Sequence, residues 1–157
     1  MNSIVFQYPG LPPSVNDLYK PAPGGWGLRL SKEGVQFKNR FVSERGGVSV
    51  AELMAFEAEA AREYLLELWF FVDVDDLYNK TFSPSNKVKS PFKKFDVSNL
   101  IKITEDCISD LVGIDDKANF SVLSHKREAH DFTGIVARVQ PLSMAQELFP
   151  APIRPGM

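Results

Sequence analysis

One cysteine in 157 residues, Cys107, leaves this chain without an internal disulfide. That usage favours a reducing compartment. Long apolar runs are missing as well. The longest, from Tyr64 to Val74, is interrupted by Glu67 and Asp73 and falls well short of the ~20 residues that cross a membrane. No basic start followed by an apolar stretch opens the chain, so no secretory signal is expected and the reading is cytoplasmic. Charge of one sign is not in excess either. Eighteen Lys and Arg stand against 20 Asp and Glu, a net charge of −2, so any argument for nucleic acid must rest on where the charges sit.

What is present is ordinary for a folded protein: 44% apolar and 24% charged residues, which excludes disorder over most of the length. At roughly 150 residues per domain, one domain is expected. We place it over residues 1–142, followed by a tail, 143–157, that carries Pro150, Pro152 and Pro155.

Ile4, Phe6 and Tyr8 alternate with Val5 and Gln7, the period of a strand. Prolines 9, 12 and 13 end it, and Asn16-Asp17 can turn the chain. A second breaker, residues 21–25, leads to a strand-like piece around Trp26 to Leu30. Ser31 suits the N-cap of a helix running to about Val42, which Arg45-Gly46-Gly47 stops and Gly34 weakens. Helical spacing of Leu53, Phe56 and Ala60 predicts another helix over 51–62. Residues 64–74 read as a central strand with Leu66, Leu68, Phe70 and Val72 on one face. Leu100, Ile101, Thr104, Cys107, Ile108 and Leu111 mark an amphipathic helix over about 97–112, capped by Gly113. Two last strands, about 119–126 and 133–141, flank a turn at Ala129-His130-Asp131. Short strands and two or three helices without regular βαβ alternation predict an α+β fold, a small mixed sheet with the helices packed on it.

Chemistry concentrates around the amphipathic helix. Asp96 stands at its start, where an aspartate is also a good N-cap. Asp115-Asp116 follows its C-terminus, where the helix dipole makes carboxylates unfavourable and calls for a compensating lysine, solvent or metal. Lys102 lies between, four residues before Asp106, which by itself is a surface i,i+4 pair. Asp96, Lys102 and Asp116 together form a set that phosphodiester hydrolysis can use: carboxylates for Mg²⁺ and a lysine for the phosphate or leaving group. Lys80, Lys87, Lys89, Lys93 and Lys94 lie in a loop that contains no acidic residue. Such a loop is either a solvated surface or a phosphate-binding one.

Three stretches carry a resemblance. Leu11-Pro12-Pro13-Ser14-Val15-Asn16-Asp17-Leu18-Tyr19 is similar to the early P-P-S-x-N-x-x-Y signature of RusA-type Holliday junction resolvases. Phe95-Asp96-Val97-Ser98-Asn99-Leu100-Ile101-Lys102 resembles their D-x-D-N-L-x-K core, and Ile114-Asp115-Asp116 their distal D-D. The likeness runs from about Pro12 to Val139 in the same order. It implies a RusA-like, homodimeric fold and a Mg²⁺-dependent endonuclease (Mn²⁺ as a possible substitute) that nicks four-way DNA junctions symmetrically. It also implies a bacterial or phage origin. Carried over by position, Asp96, Asp115 and Asp116 would bind the metal, and Asp96, Lys102 and Asp116 would be catalytic. Lys87, Lys89, Lys93, Lys94 and Lys126 would bind DNA. Phe82 and Phe92 could stack on splayed bases or simply anchor the loop. His125 and His130 are not needed by carboxylate chemistry.

Two departures matter. Ser98 stands where the family core has its second aspartate, and a hydroxyl supplies no charge to a metal. Phe95 replaces the basic residue before the first aspartate, with Lys93 and Lys94 the nearest substitutes. Ser98 therefore keeps a rival reading open, a junction-binding protein with weakened or lost cleavage. A third reading takes the same charges as surface decoration on an unrelated α+β interaction protein. Geometry adds a question, because a 15-residue helix is roughly 22 Å long. Asp96 and Asp116 then meet only by a stretched return along the helix, or by pairing across two subunits.

Overall fold

The computed structural model of the chain describes residues 3–13, 18–58, 62–79, 90–93 and 97–143. Strand β1, Ile4–Tyr8, buries alternate side chains as its period requires. A two-stranded ribbon follows, β2 (Tyr19–Pro21) antiparallel to β3 (Leu28–Leu30). Helix α1, Lys32–Ser43, starts at Ser31, whose hydroxyl accepts a hydrogen bond from the Gly34 N–H at 3.0 Å. The helix forms in spite of Gly34, and the glycine makes room. A Cβ there would come within 3.2 Å of both Leu18 Cδ1 and Leu30 Cδ2, so glycine lets the ribbon pack onto α1.

A 3₁₀ turn over Arg45–Gly47 ends that segment. Helix α2 covers only Val50–Ala55, with a reciprocal capping box between Ser49 and Glu52. The expected helix over 51–62 is thus cut short. Phe56 turns to extended backbone and buries its ring against Tyr64, 6.3 Å between centroids. Strand β4 (Tyr64–Val72), a four-residue helix α3 (Val74–Leu77), helix α4 (Ser98–Val112), a 3₁₀ turn (Asp116–Ala118), β5 (Asn119–Glu128) and β6 (Gly134–Pro141) complete the order. The described residues thus hold four α-helices, two of them long, where two or three were expected.

The main sheet has the order β1-β6-β4-β5. β6 runs antiparallel to both β1 and β4, while β4 and β5 are parallel and joined through α4. One βαβ unit is therefore set into an otherwise antiparallel α+β sheet, and the last two strands are separated by β4 instead of pairing. The turn between them is tied to the end of β4 by Ala129 N–H to the Val72 carbonyl, 2.8 Å, and by Thr133 Oγ1 to Asp73 Oδ1, 2.9 Å.

One face of the sheet carries the core. Phe6, Leu66, Leu68, Phe70, Ile135 and Ala137 are fully buried and meet Leu100, Ile103 and Cys107 of α4 and Phe41 of α1. Leu100, Ile103, Thr104, Cys107 and Ile108 recur at the helical period and form the buried stripe of α4. Thr104, the polar member, satisfies its hydroxyl on the Leu100 carbonyl at 2.7 Å.

The other face of β4 explains why an acid sits in that apolar run. Glu67 is buried, and its carboxylate takes Arg138 Nη2 from β6 at 2.5 Å and His125 Nε2 from β5 at 3.2 Å. Trp69 stacks on the His125 ring, 5.3 Å between centroids at 19°, with the Arg138 guanidinium 5.7 Å from the indole centre. No helix among the described residues is long and apolar enough to cross a membrane.

Candidate functional site

Helix α4 and the turn after it build the site. Because the stripe from Leu100 to Ile108 is buried, the opposite side of the helix carries Lys102, Asp106 and Asp110 outward. Gly113 then takes the left-handed conformation, φ 70°, and its N–H closes on the Ser109 carbonyl at 2.9 Å. Ile114 is buried and anchors the reversal. Asp115 caps the 3₁₀ turn, accepting the Lys117 N–H on Oδ1 at 3.0 Å. That geometry delivers Asp116 back to the helix, and farther along Asn119 donates to Glu105 Oε1 at 2.8 Å.

Lys102 Nζ bonds Asp116 Oδ2 at 2.7 Å and Asp106 Oδ1 at 2.9 Å, an ammonium held between two carboxylates. The return along α4 is thus made within one chain as far as Lys102. The pairing also answers the misplaced acids: Asp116 finds its compensating cation fourteen positions upstream. The two carboxylates hold the Lys102 ammonium well above the ordinary lysine range. Lys102, with the neighbouring Asp115 second, holds the Asp116 carboxyl below the usual carboxylate range. Both side chains are more than a third exposed, so solvent screens the pair and it adds little to stability.

Beside this triad lies an open cleft of about 280 Å³ lined by Lys38, Asp106, Asp110, Asp115 and Asp116, among others. Lys38 reaches in from α1 and bonds Asp110 Oδ2 at 3.0 Å. Burial and the Asp106 charge push the Tyr19 phenol up, opposed by Lys102, so β2 brings Tyr19 within electrostatic reach of the pair. Lys38 and Asp110 carried no signal in sequence. They lie on different helices and meet only because α1 packs on α4.

Asp106, Asp115 and Asp116 offer the hard oxygen donors that Mg²⁺ takes. Two of these carboxylates share Lys102, and Asp115 has one oxygen committed to its turn. Among the described residues, no group of three or more His, Cys, Asp or Glu is arranged to hold a metal ion. The residues present are the right chemical type but make an incomplete set. Asp96, expected to complete it, lies outside the described residues. Ser98 is the exposed first residue of α4.

Of the expected DNA-binding lysines, Lys87, Lys89 and Lys94 also lie outside the described residues, as do Phe82, Asn16 and the tail from Met144. Lys93 donates its ammonium to the Asp75 carbonyl and its N–H to the Leu77 carbonyl, the latter at 2.8 Å. Tyr78 and Phe92 form an isolated bridge, rings 6.0 Å apart, that closes the base of the basic loop. Phe92 thus anchors the loop while keeping 63% of its surface exposed. A depression of about 300 Å³ joins these two rings to Lys126 and Arg127 of β5. Lys126 is seven residues along β5 from Asn119, roughly 23 Å away, so this basic patch and the Asp116 turn occupy different ends of that strand.

The chain has no match among protein-family models and none among curated protein sequences.

Proposed function

We propose that this protein is a metal-dependent endonuclease that resolves four-way DNA junctions by paired symmetric nicks, as a cytoplasmic homodimer. The observation that carries the reading is the Lys102–Asp116 pair, which joins two of the three motif stretches in one place. A helix surface lysine and a turn aspartate are ordinary apart, and together they make a phosphate-handling group beside a carboxylate cleft.

Asp96, Asp115 and Asp116 would hold Mg²⁺ or Mn²⁺. An ion held by these carboxylates would supply activation of water and neutralisation of charge on the phosphate. Lys102 is an ammonium throughout the neutral range and steadies the phosphate or the leaving oxygen. Asp106, its second partner, orients that ammonium. The basic residues Lys87, Lys89, Lys93, Lys94 and Lys126 bind flanking phosphates. A homodimer presents two equivalent sites related by a two-fold axis, which suits two opposed cuts.

The test is cleavage of a synthetic four-way junction against a linear duplex of the same sequences, in Mg²⁺ and in Mn²⁺, with Asp116→Asn alongside. Paired nicks near the branch that need metal and vanish in the variant support the proposal. No preference for the junction overturns it. Tight junction binding without nicks in either metal replaces it with a binding protein, the reading that Ser98 favours. Ser98→Asp separates a weakened metal site from an absent one: a large gain in cutting marks the former.

A further inference from the structure

The β2–β3 ribbon is built unlike the rest of the surface. Its base is tied down: Leu18 is buried, Tyr19 and Leu30 pack against the core, and the Ser31 N–H bonds the Leu18 carbonyl at 2.8 Å. Its tip stands clear. Trp26 is 86% exposed and Leu28 71% exposed, and side chains added at Gly24, Gly25 or Gly27 would meet nothing within 4 Å. The tip is nonetheless ordered by the Ala22 N–H on the Gly27 carbonyl and the Gly25 N–H on the Ala22 carbonyl, both 3.1 Å.

In the ribbon's register Lys20 stands directly opposite Arg29. Residues directly opposite each other in an antiparallel pair share a face, so both cations stand on the same side of the ribbon. Lys32 joins them along an open groove of about 730 Å³ between the ribbon and α1, and among the described residues none that line it is acidic. Glu33, the acid of the first helical turn, lines a different depression, with Tyr8 and Arg40. Three cations converge on one groove, with a bare indole beyond them.

We propose that the β2–β3 ribbon is a DNA-binding arm: Lys20, Arg29 and Lys32 take successive phosphates, and Trp26 stacks on an unpaired base. A polyanion suits a groove lined by three cations, and an indole on a projecting tip is suited to a base that has left its helix. This inference rests on the nuclease reading for its substrate, but not on cleavage.

The test is binding of fluorescent DNA (a four-way junction, a duplex and a single strand) over a range of salt, with no metal added. Lys20→Gln/Arg29→Gln/Lys32→Gln should flatten the plot of log affinity against log salt by about 2 to 3. Trp26→Ala should weaken junction or single-strand binding by about 5- to 100-fold and duplex binding much less. All four positions are exposed, and an unchanged far-UV spectrum and thermal midpoint would show that the variants fold. Trp26→Phe, which keeps a stacking ring, should restore most of the affinity. If wild type binds DNA but both variants keep its affinity and salt slope, the arm is refuted and the nuclease reading stands. If wild type binds none of the three DNAs, both fall. Equal losses from Trp26→Ala on duplex and junction would also refute the stacking role.

Discussion

Lys102 and Asp116, fourteen positions apart in the chain, meet at 2.7 Å across the turn that Gly113 reverses. The sign of the pH dependence follows from the two shifts. Asp116 is held below its ordinary value, so the pair's contribution is present above about pH 4 and is lost as pH falls through the folded value. Lys102 is held above its ordinary value, so its contribution is complete below about pH 10 and disappears as pH rises through the folded value. The pair is therefore constant over the neutral range. Lys102→Met should raise the Asp116 carboxyl toward the ordinary carboxylate range, read by NMR titration, while the thermal midpoint moves by no more than ~3 °C. A large stability loss would make the pair structural.

Glu67 should behave in the opposite way. Its carboxylate is buried between Arg138 and His125, and Arg138 Nε is buried with no hydrogen-bond partner of its own. Removing the acid leaves two polar groups without their acceptor. Glu67→Ala should cost ~1–3 kcal/mol in urea denaturation. An unchanged midpoint would show that the three strands do not depend on this bridge.

Two glycines with positive φ should respond differently to alanine. At Gly47, φ 86°, a Cβ would stand 2.0 Å from the Gln7 carbonyl oxygen, and that backbone belongs to β1. At Gly113, φ 70°, nothing lies within 4 Å. Gly113→Ala should therefore cost only the left-handed strain, ~1 kcal/mol, while Gly47→Ala must also move a strand and should cost ~3 kcal/mol or more. Equal losses in parallel denaturation curves would contradict this.

Cys107 should be inert in the folded protein. It is fully buried on α4, and burial pushes its thiol up to about 12. An aromatic disulfide reagent at pH 8 should release one equivalent of thiolate in denaturant and almost none without it. Rapid reaction of the native protein would mean that α4 opens readily from the sheet.

Local patterns were legible wherever a side chain's fate depends on its own neighbours in sequence. Alternation in Ile4–Tyr8, the 3,4 spacing from Leu100 to Ile108, the Ser31 cap and the Gly113 stop each record which side of one element faces the core. The α+β class followed from their sum. The helix expected over 51–62 forms only as far as Ala55, for a reason that local composition does not carry: the Phe56 ring finds Tyr64 by leaving the helix.

The amino-acid sequence alone determined the elements, the buried faces and the chemical type of the candidate groups, because periodicity and capping act over a few residues. Strand order was decided by tertiary structure. Period 2 states that a strand has an inside without naming its neighbour, so neither the parallel β4–β5 pair nor the insertion of β4 between β5 and β6 could be read from it. The same holds for Lys38–Asp110, Lys102–Asp116 and the Arg138–Glu67–His125 bridge over three strands. Each joins residues whose separation in the chain says nothing of their distance. They meet only because burying one face of the sheet under α1 and α4 fixes where every outward side chain must stand.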